Sequence, residues 1–187
     1  NCITDVAGVR VGHVTLQEKL SQEGAYACTG VTAILPHGGN LFQQKVTAAS
    51  YVLNGFGKTT GLVQVNELGV IESPIMLTNT FGVPAVTEGT LQYMLDTNKE
   101  IGDTTGTINI VVGECNDSHL NSIRERPVKP KHALKAIQNA TENVATEGAV
   151  GAGTGMICFG YKGGIGSSSR VVSVEDDNKS FTVGCMV

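Results

Sequence analysis

The chain has no tryptophan, few aromatic residues (5%) and few charged ones (16%), and its net charge is −4. It has no basic stripe and no aromatic motif of the RNA-binding type, which argues against nucleic acid as a partner. No apolar run approaches the roughly 20 residues of a membrane span. No signal-peptide pattern is present. Paired metal ligands are also missing. Cys2, Cys28, Cys115, Cys158 and Cys185 are scattered, odd in number and without C-x-x-C spacing. His13, His37, His119 and His132 show no pairing either, so nothing resembles a zinc site. Cys115, Cys158 and Cys185 lie in apolar, strand-like stretches, which predicts small buried hydrophobes in a reducing compartment. The expected location is cytoplasmic.

What is present is enough for one domain, residues 1–187, with a proper core: 41% of residues are apolar. Glycine is abundant, at 24 residues, and much of it is clustered. Residues 6–16 and 25–39 alternate as strands, the second closed by a Pro and Gly-Gly turn. The spacing of Val46, Ala49, Val52 and Leu53 predicts a helix over 43–54. Residues 62–82 predict one or two strands, and 84–98 a helix. Residues 106–117 form the clearest strand, and 129–143 a helix with Pro130 in its first turn. Strand-like pieces follow at 155–160, 170–174 and 180–187. The pattern predicts a mixed α/β domain with helices packed on sheets.

Three stretches mimic known motifs and fail. "NGFGKTTGL" (54–62) supplies the second half of a phosphate-binding loop, but its first glycine would fall on Val52. "GAVGAGTGM" (148–156) begins a dinucleotide fingerprint, but the sixth position is Met156. It reads instead as a loop needing positive φ or close backbone approach. "GSSSR" (166–170) lacks the flanking glycine of a nucleophile elbow, so its serines are expected to be turn residues. "GECND" (113–117) closes the clearest strand, where sites are often built. There Glu114 could hold an ammonium, and Asn116, on the same face, could donate to an oxyanion. The alternative is that Asn116 and Asp117 simply form the turn.

Taken together, "ITDVAGVRVGHVTL", "NGFGKTTGLVQVNELGVIESPIMLTNT", "VVGECND" and "GAGTGMICFGYKGGIGSSSR" resemble the P1 peptidases. These are the DmpA-like L-aminopeptidase/D-esterases and β-aminopeptidyl enzymes of peptidase family S58. The resemblance runs in order along nearly the whole chain. It implies a four-layer αββα sandwich, shared with ornithine acetyltransferases, and a precursor that cleaves itself into α and β chains. The serine or threonine that opens the β chain is the nucleophile, and its own amine can serve as base. No metal or organic cofactor is implied.

The chain begins at Asn1 and ends at Val187 in a strand-like run, and is expected to be most of such an α chain. The nucleophile and an oxyanion-hole asparagine are expected beyond Val187. The expected partners are the β chain, a small peptide, amide or ester substrate, and further αβ units. By resemblance Glu114 faces the substrate amine and Asn116 lies beside the nucleophile, where relatives carry tyrosine or an apolar residue. Backbone around Gly151–Gly155, with Gly153 and Gly155 as contacts, is expected to line the cleft. The alternatives are an acyltransferase of the ornithine acetyltransferase type and a non-catalytic relative.

Overall fold

A computed structural model describes residues 1–174 and 179–187. Its centre is a four-stranded sheet in the order β1-β2-β5-β6. Strand β1 (Arg10–Lys19) pairs antiparallel with β2 (Tyr26–Leu35) in one ten-residue register, Arg10 opposite Leu35. Two short strands, β3 (Val46–Thr47) and β4 (Val70–Ile71), pair with each other outside this sheet. Strand β5 (Ile75–Asn79) joins β2 antiparallel, and β6 (Val111–Cys115) joins β5 parallel, with Thr78 beside Glu114. A parallel neighbour requires a crossover, and helix α2 (Val83–Thr97) supplies it. Helix α1 (Leu62–Leu68) precedes β4, and α3 (Pro130–Gln138) follows β6. The chain closes with two hairpins, β7 (Ile157–Cys158) with β8 (Tyr161–Lys162), and β9 (Ser167–Val174) with β10 (Lys179–Met186). The expected α/β class is borne out.

The two faces of the sheet have different jobs. Along β2, Val31, Ala33 and Leu35 join the core under α2 and α3, while Thr32 points the other way to accept from Ala152 N at 3.0 Å. This is the two-residue period of a strand. Helix α2 buries Val83, Val86, Thr90 and Met94, spaced three or four apart, and α3 buries Ala133, Ala136 and Ile137. Met76, Val86 and Val112 are fully enclosed between the layers. Each such side chain contributes about 1.5–3 kcal/mol by leaving water.

Backbone touches backbone on both faces. A Cβ at Gly12 would overlap the Ala136 carbonyl of α3, and one at Gly30 would overlap the Gly151 carbonyl on the opposite face. The segment carrying Gly151 is further tied to the strands by Gly151 N donating to Thr15 Oγ1 at 2.9 Å.

Three expectations are corrected. Residues 43–54 form no helix: the chain there holds β3 and an extended loop, and Val52 and Leu53 are exposed, so there is no apolar face for a helix to bury. The stretch after Gly61 begins as helix α1 rather than a strand. The alternation of Val63 and Val65 looks strand-like, but Val63 is exposed and only Val65 is buried. The serines at 167–169 open strand β9 instead of forming a turn. Ser167 Oγ accepts from Ile3 N at 2.7 Å and Ser169 Oγ donates to Asp5 Oδ2 at 2.5 Å, so they fasten the N-terminal segment.

A buried polar cluster fixes the turn after β6. Asp117 is 1% exposed, and its Oδ1 accepts from Asn121 Nδ2 at 3.0 Å. Asn121 Oδ1 in turn accepts from Cys28 N at 3.0 Å, and Asn79 Nδ2 donates to Thr29 Oγ1 at 2.8 Å. Burial raises the Asp117 carboxyl above its ordinary range, and the polar groups of Thr29, Asn121 and Asn79 only partly oppose it. Thr29 and Asn79 sit near the carboxylate without completing a hydrogen bond of standard geometry to Oδ2.

Two outcomes are expected. Gly30→Ala should destabilise the protein by about 1–3 kcal/mol, because backbone rather than a flexible side chain occupies the space. An unchanged Tm would show that the Gly151 segment yields. Asp117 binds its proton more tightly folded than unfolded. Its cost is therefore absent at low pH, appears as pH rises through the ordinary carboxylate range, and is complete above the raised folded value. Asp117→Asn should accordingly raise Tm at neutral pH and leave it little changed in acid. A lower Tm at neutral pH would mean that the ionised carboxylate is well satisfied.

Candidate active site

The face of the sheet turned away from α2 and α3 carries a pocket of about 310 Å³ at the carboxyl ends of β5 and β6. This is where open sheets with parallel strands collect ligands. Leu77 and Gly113, opposite each other in the β5–β6 register, form one wall. Met156, Ile157 and Ile165, from the glycine-rich segment, form the other. The lining is mainly apolar, and among the described residues Glu114 is its one acidic side chain.

Glu114 is held at both oxygens. Oε2 accepts from Thr80 Oγ1 at 2.5 Å, and Oε1 accepts from the backbone N–H of Lys58 at 3.0 Å. Thr80 opens the turn Thr80–Gly82 that leads from β5 into α2. Lys58 belongs to the loop "NGFGKTTGL", which is no phosphate cradle. Thr60 stitches this loop to the edge of β6 by two backbone bonds with Val112, at 3.0 and 3.2 Å. The Lys58 ammonium turns back on its own loop, donating to Phe56 O at 2.7 Å and lying 3.7 Å from the centre of the Phe56 ring. Among the described residues, no cation forms an ion pair with Glu114. The site therefore carries a carboxylate bound by two neutral donors beside apolar walls.

The other expected site residues divide. Gly153 is buried and lines the pocket, where a Cβ would press on Gly164 and Ile165 backbone. Gly155 is not in the lining: its missing Cβ makes room for the Cys28 carbonyl of β2, so its role is packing. Asn116 does not share the pocket with Glu114. It is exposed in the turn after β6, where its Oδ1 accepts from Ser118 N at 2.9 Å. That bond fixes the amide plane and leaves the NH₂ as the end able to donate elsewhere. Thr80 was missed in the sequence. A hydroxyl serving a carboxylate 34 positions later has no local spacing to reveal it.

The cysteines also depart from expectation. Cys2 is buried, but Cys115, Cys158 and Cys185 are exposed, and Cys115 and Cys158 line the pocket. Desolvation at the wall, then the adjacent Glu114 charge, push the Cys115 thiol up, which keeps it protonated. Among the described residues, no three His, Cys, Asp or Glu side chains gather as metal ligands, and no helix is long and apolar enough to cross a membrane.

The chain is similar over its whole length to known proteins. The chain is 54% identical to a Pyrococcus horikoshii OT3 protein of known crystal structure, with TM-score 0.94, covering all of this chain and 53% of that one. It is 39% identical to a Burkholderia sp. β-aminopeptidase, with TM-score 0.91, and covers 51% of that chain. It is 37% identical, with TM-score 0.89, to the L-aminopeptidase D-Ala-esterase/amidase of Ochrobactrum anthropi, covering 52% of it. That enzyme is described as a prototype serine aminopeptidase and a variant of the Ntn hydrolase fold. Among curated proteins, the chain is 44% identical over 190 residues to the β-peptidyl aminopeptidase BapA of Sphingosinicella microcystinivorans. It spans all of this chain but about half the length of that relative, 46%. The profile described as peptidase family S58 matches residues 1–187, from the first strand through the pocket to the last hairpin, and the chain belongs to that family.

Proposed function

We propose that this chain is the α part of a self-processed aminopeptidase that releases N-terminal residues from small peptides, amides or esters. The observation that carries the reading is Glu114. Its carboxylate is fixed by two neutral donors, has no cation paired with it among the described residues, and borders an apolar pocket. A cation of the substrate is the natural complement, and the free α- or β-ammonium of an N-terminal residue supplies one. The apolar walls then receive the adjoining carbon chain.

The attacking group comes from a partner β chain in this reading. The N-terminal serine or threonine of that chain adds to the substrate carbonyl, its amine taking the hydroxyl proton. The leaving amine departs with a proton, and water releases the acyl group. Asn116 lies outside the pocket, on the exposed turn after β6, so in this reading its NH₂ meets the substrate or the oxyanion only on the side that the partner chain completes, with the Oδ1 bond to Ser118 N setting its orientation. Gly153 presents backbone along the cleft. Support for a covering partner lies in the last hairpin, where Val171, Phe181 and Val183 are more than half exposed. Two-stranded apolar hairpins are rarely stable uncovered. The β chain of the same precursor fits that surface, and αβ units would then associate further.

Glu114→Gln in the assembled enzyme should raise KM about tenfold or more for aminoacyl amides, with kcat less affected, because a charge-assisted contact is lost. An equal loss on amides lacking the amine would remove the anchor role. Denaturing mass spectrometry of the whole purified enzyme should show a second chain beginning with Ser or Thr. A single mass would return the reading to an inert relative.

A further inference from the structure

We propose that Thr80 is a positioning residue for the substrate ammonium: its hydroxyl, working against the Lys58 backbone N–H, sets the Glu114 carboxylate in its binding orientation. This rests on the anchor reading of Glu114. A glutamate side chain has two torsions with three staggered wells each and a broad terminal one, so an unheld carboxylate offers its lone pairs in many directions. Here each oxygen is claimed once, Oε2 by Thr80 Oγ1 and Oε1 by Lys58 N, from two separate elements. A carboxylate has about four acceptor positions, so two remain for an ammonium.

The Thr80 end of this clamp is rigid. Thr80 is 9% exposed and follows Asn79, whose side chain is locked at both ends. Asn79 Oδ1 accepts from Gly82 N at 2.6 Å, while its Nδ2 donates to Thr29 on β2. The turn that carries the hydroxyl is thereby bound to the centre of the sheet. The Lys58 end is a backbone amide in a loop held to β6 by Thr60. Both donors are neutral, so the clamp orients the carboxylate without cancelling its charge. A lysine or arginine in the place of Thr80 would orient it equally well and abolish the attraction for a substrate cation.

The test uses the assembled two-chain enzyme with Thr80→Val, Thr80→Ser and Glu114→Gln. The substrates are an aminoacyl p-nitroanilide and its analogue with hydrogen in place of the amine. Competitive inhibition by an alkylamine, compared with the alcohol of equal chain length, reads ammonium binding without chemistry. Thr80→Val should raise KM for the amine substrate and weaken alkylamine inhibition, each roughly tenfold, the scale of one hydrogen bond to a charged group. The amine-free analogue and the alcohol should change less than about twofold, and Thr80→Ser should restore the parent values. Equal effects on amine and amine-free compounds, no effect, or failure of serine to rescue would each overturn the proposal. If Glu114→Gln discriminates against amines and Thr80→Val does not, the Thr80 role alone falls. If Glu114→Gln does not discriminate, the anchor reading falls and this inference with it.

Discussion

The contact of backbone with backbone on both faces of the central sheet sets the position of everything else. Gly12 lets α3 lie against β1, and Gly30 lets the Gly151 turn lie against β2. Side chains between those layers would hold them further apart and let them slide. At these two glycines none intervenes, so the neighbouring Thr15 and Thr32 reach the amides of Gly151 and Ala152 directly. The glycine-rich segment is therefore registered against the strands, and its next residues arrive as a pocket wall opposite Leu77 and Gly113.

The elements that could be read in the sequence are those that bury one face within this chain. Strands β1 and β2 alternate because one face meets the helices. Helix α2 keeps its three-or-four spacing because it lies on the core, and α3 starts at Pro130 for the ordinary reason that its first N–H needs no partner. Residues 43–54, α1 and the exposed cysteines misled for a shared reason. Their apolar side chains, Val52, Leu53 and Val63 among them, face outward, so hydrophobic pattern no longer reports burial inside the chain. Glu114 was reached from its place at a strand end and from family resemblance together. Its two donors were not reached at all. One is a backbone N–H and the other a hydroxyl whose partner is distant in sequence, and neither leaves a pattern.

Two glutamates in this fold have opposite surroundings. Glu72 is 7% exposed. Burial alone would raise its carboxyl, but Lys45 Nζ at 2.8 Å and Asn109 N at 2.8 Å overcome that and hold it below the ordinary range. Its charge is matched within the chain, and the pair secures the segment before β5 next to β3. Such a carboxylate has little left to offer a ligand.

Glu114 is arranged the opposite way. The nearby lysine is folded onto Phe56, and only its backbone reaches the carboxylate. Two hydrogen bonds from neutral donors, at 2.5 and 3.0 Å, hold the carboxylate without supplying a counter-charge. On the proposed reading of this site, an incoming ammonium supplies that counter-charge. On that reading a protonated amine is favoured over an isosteric neutral group, because only the amine brings the counter-charge.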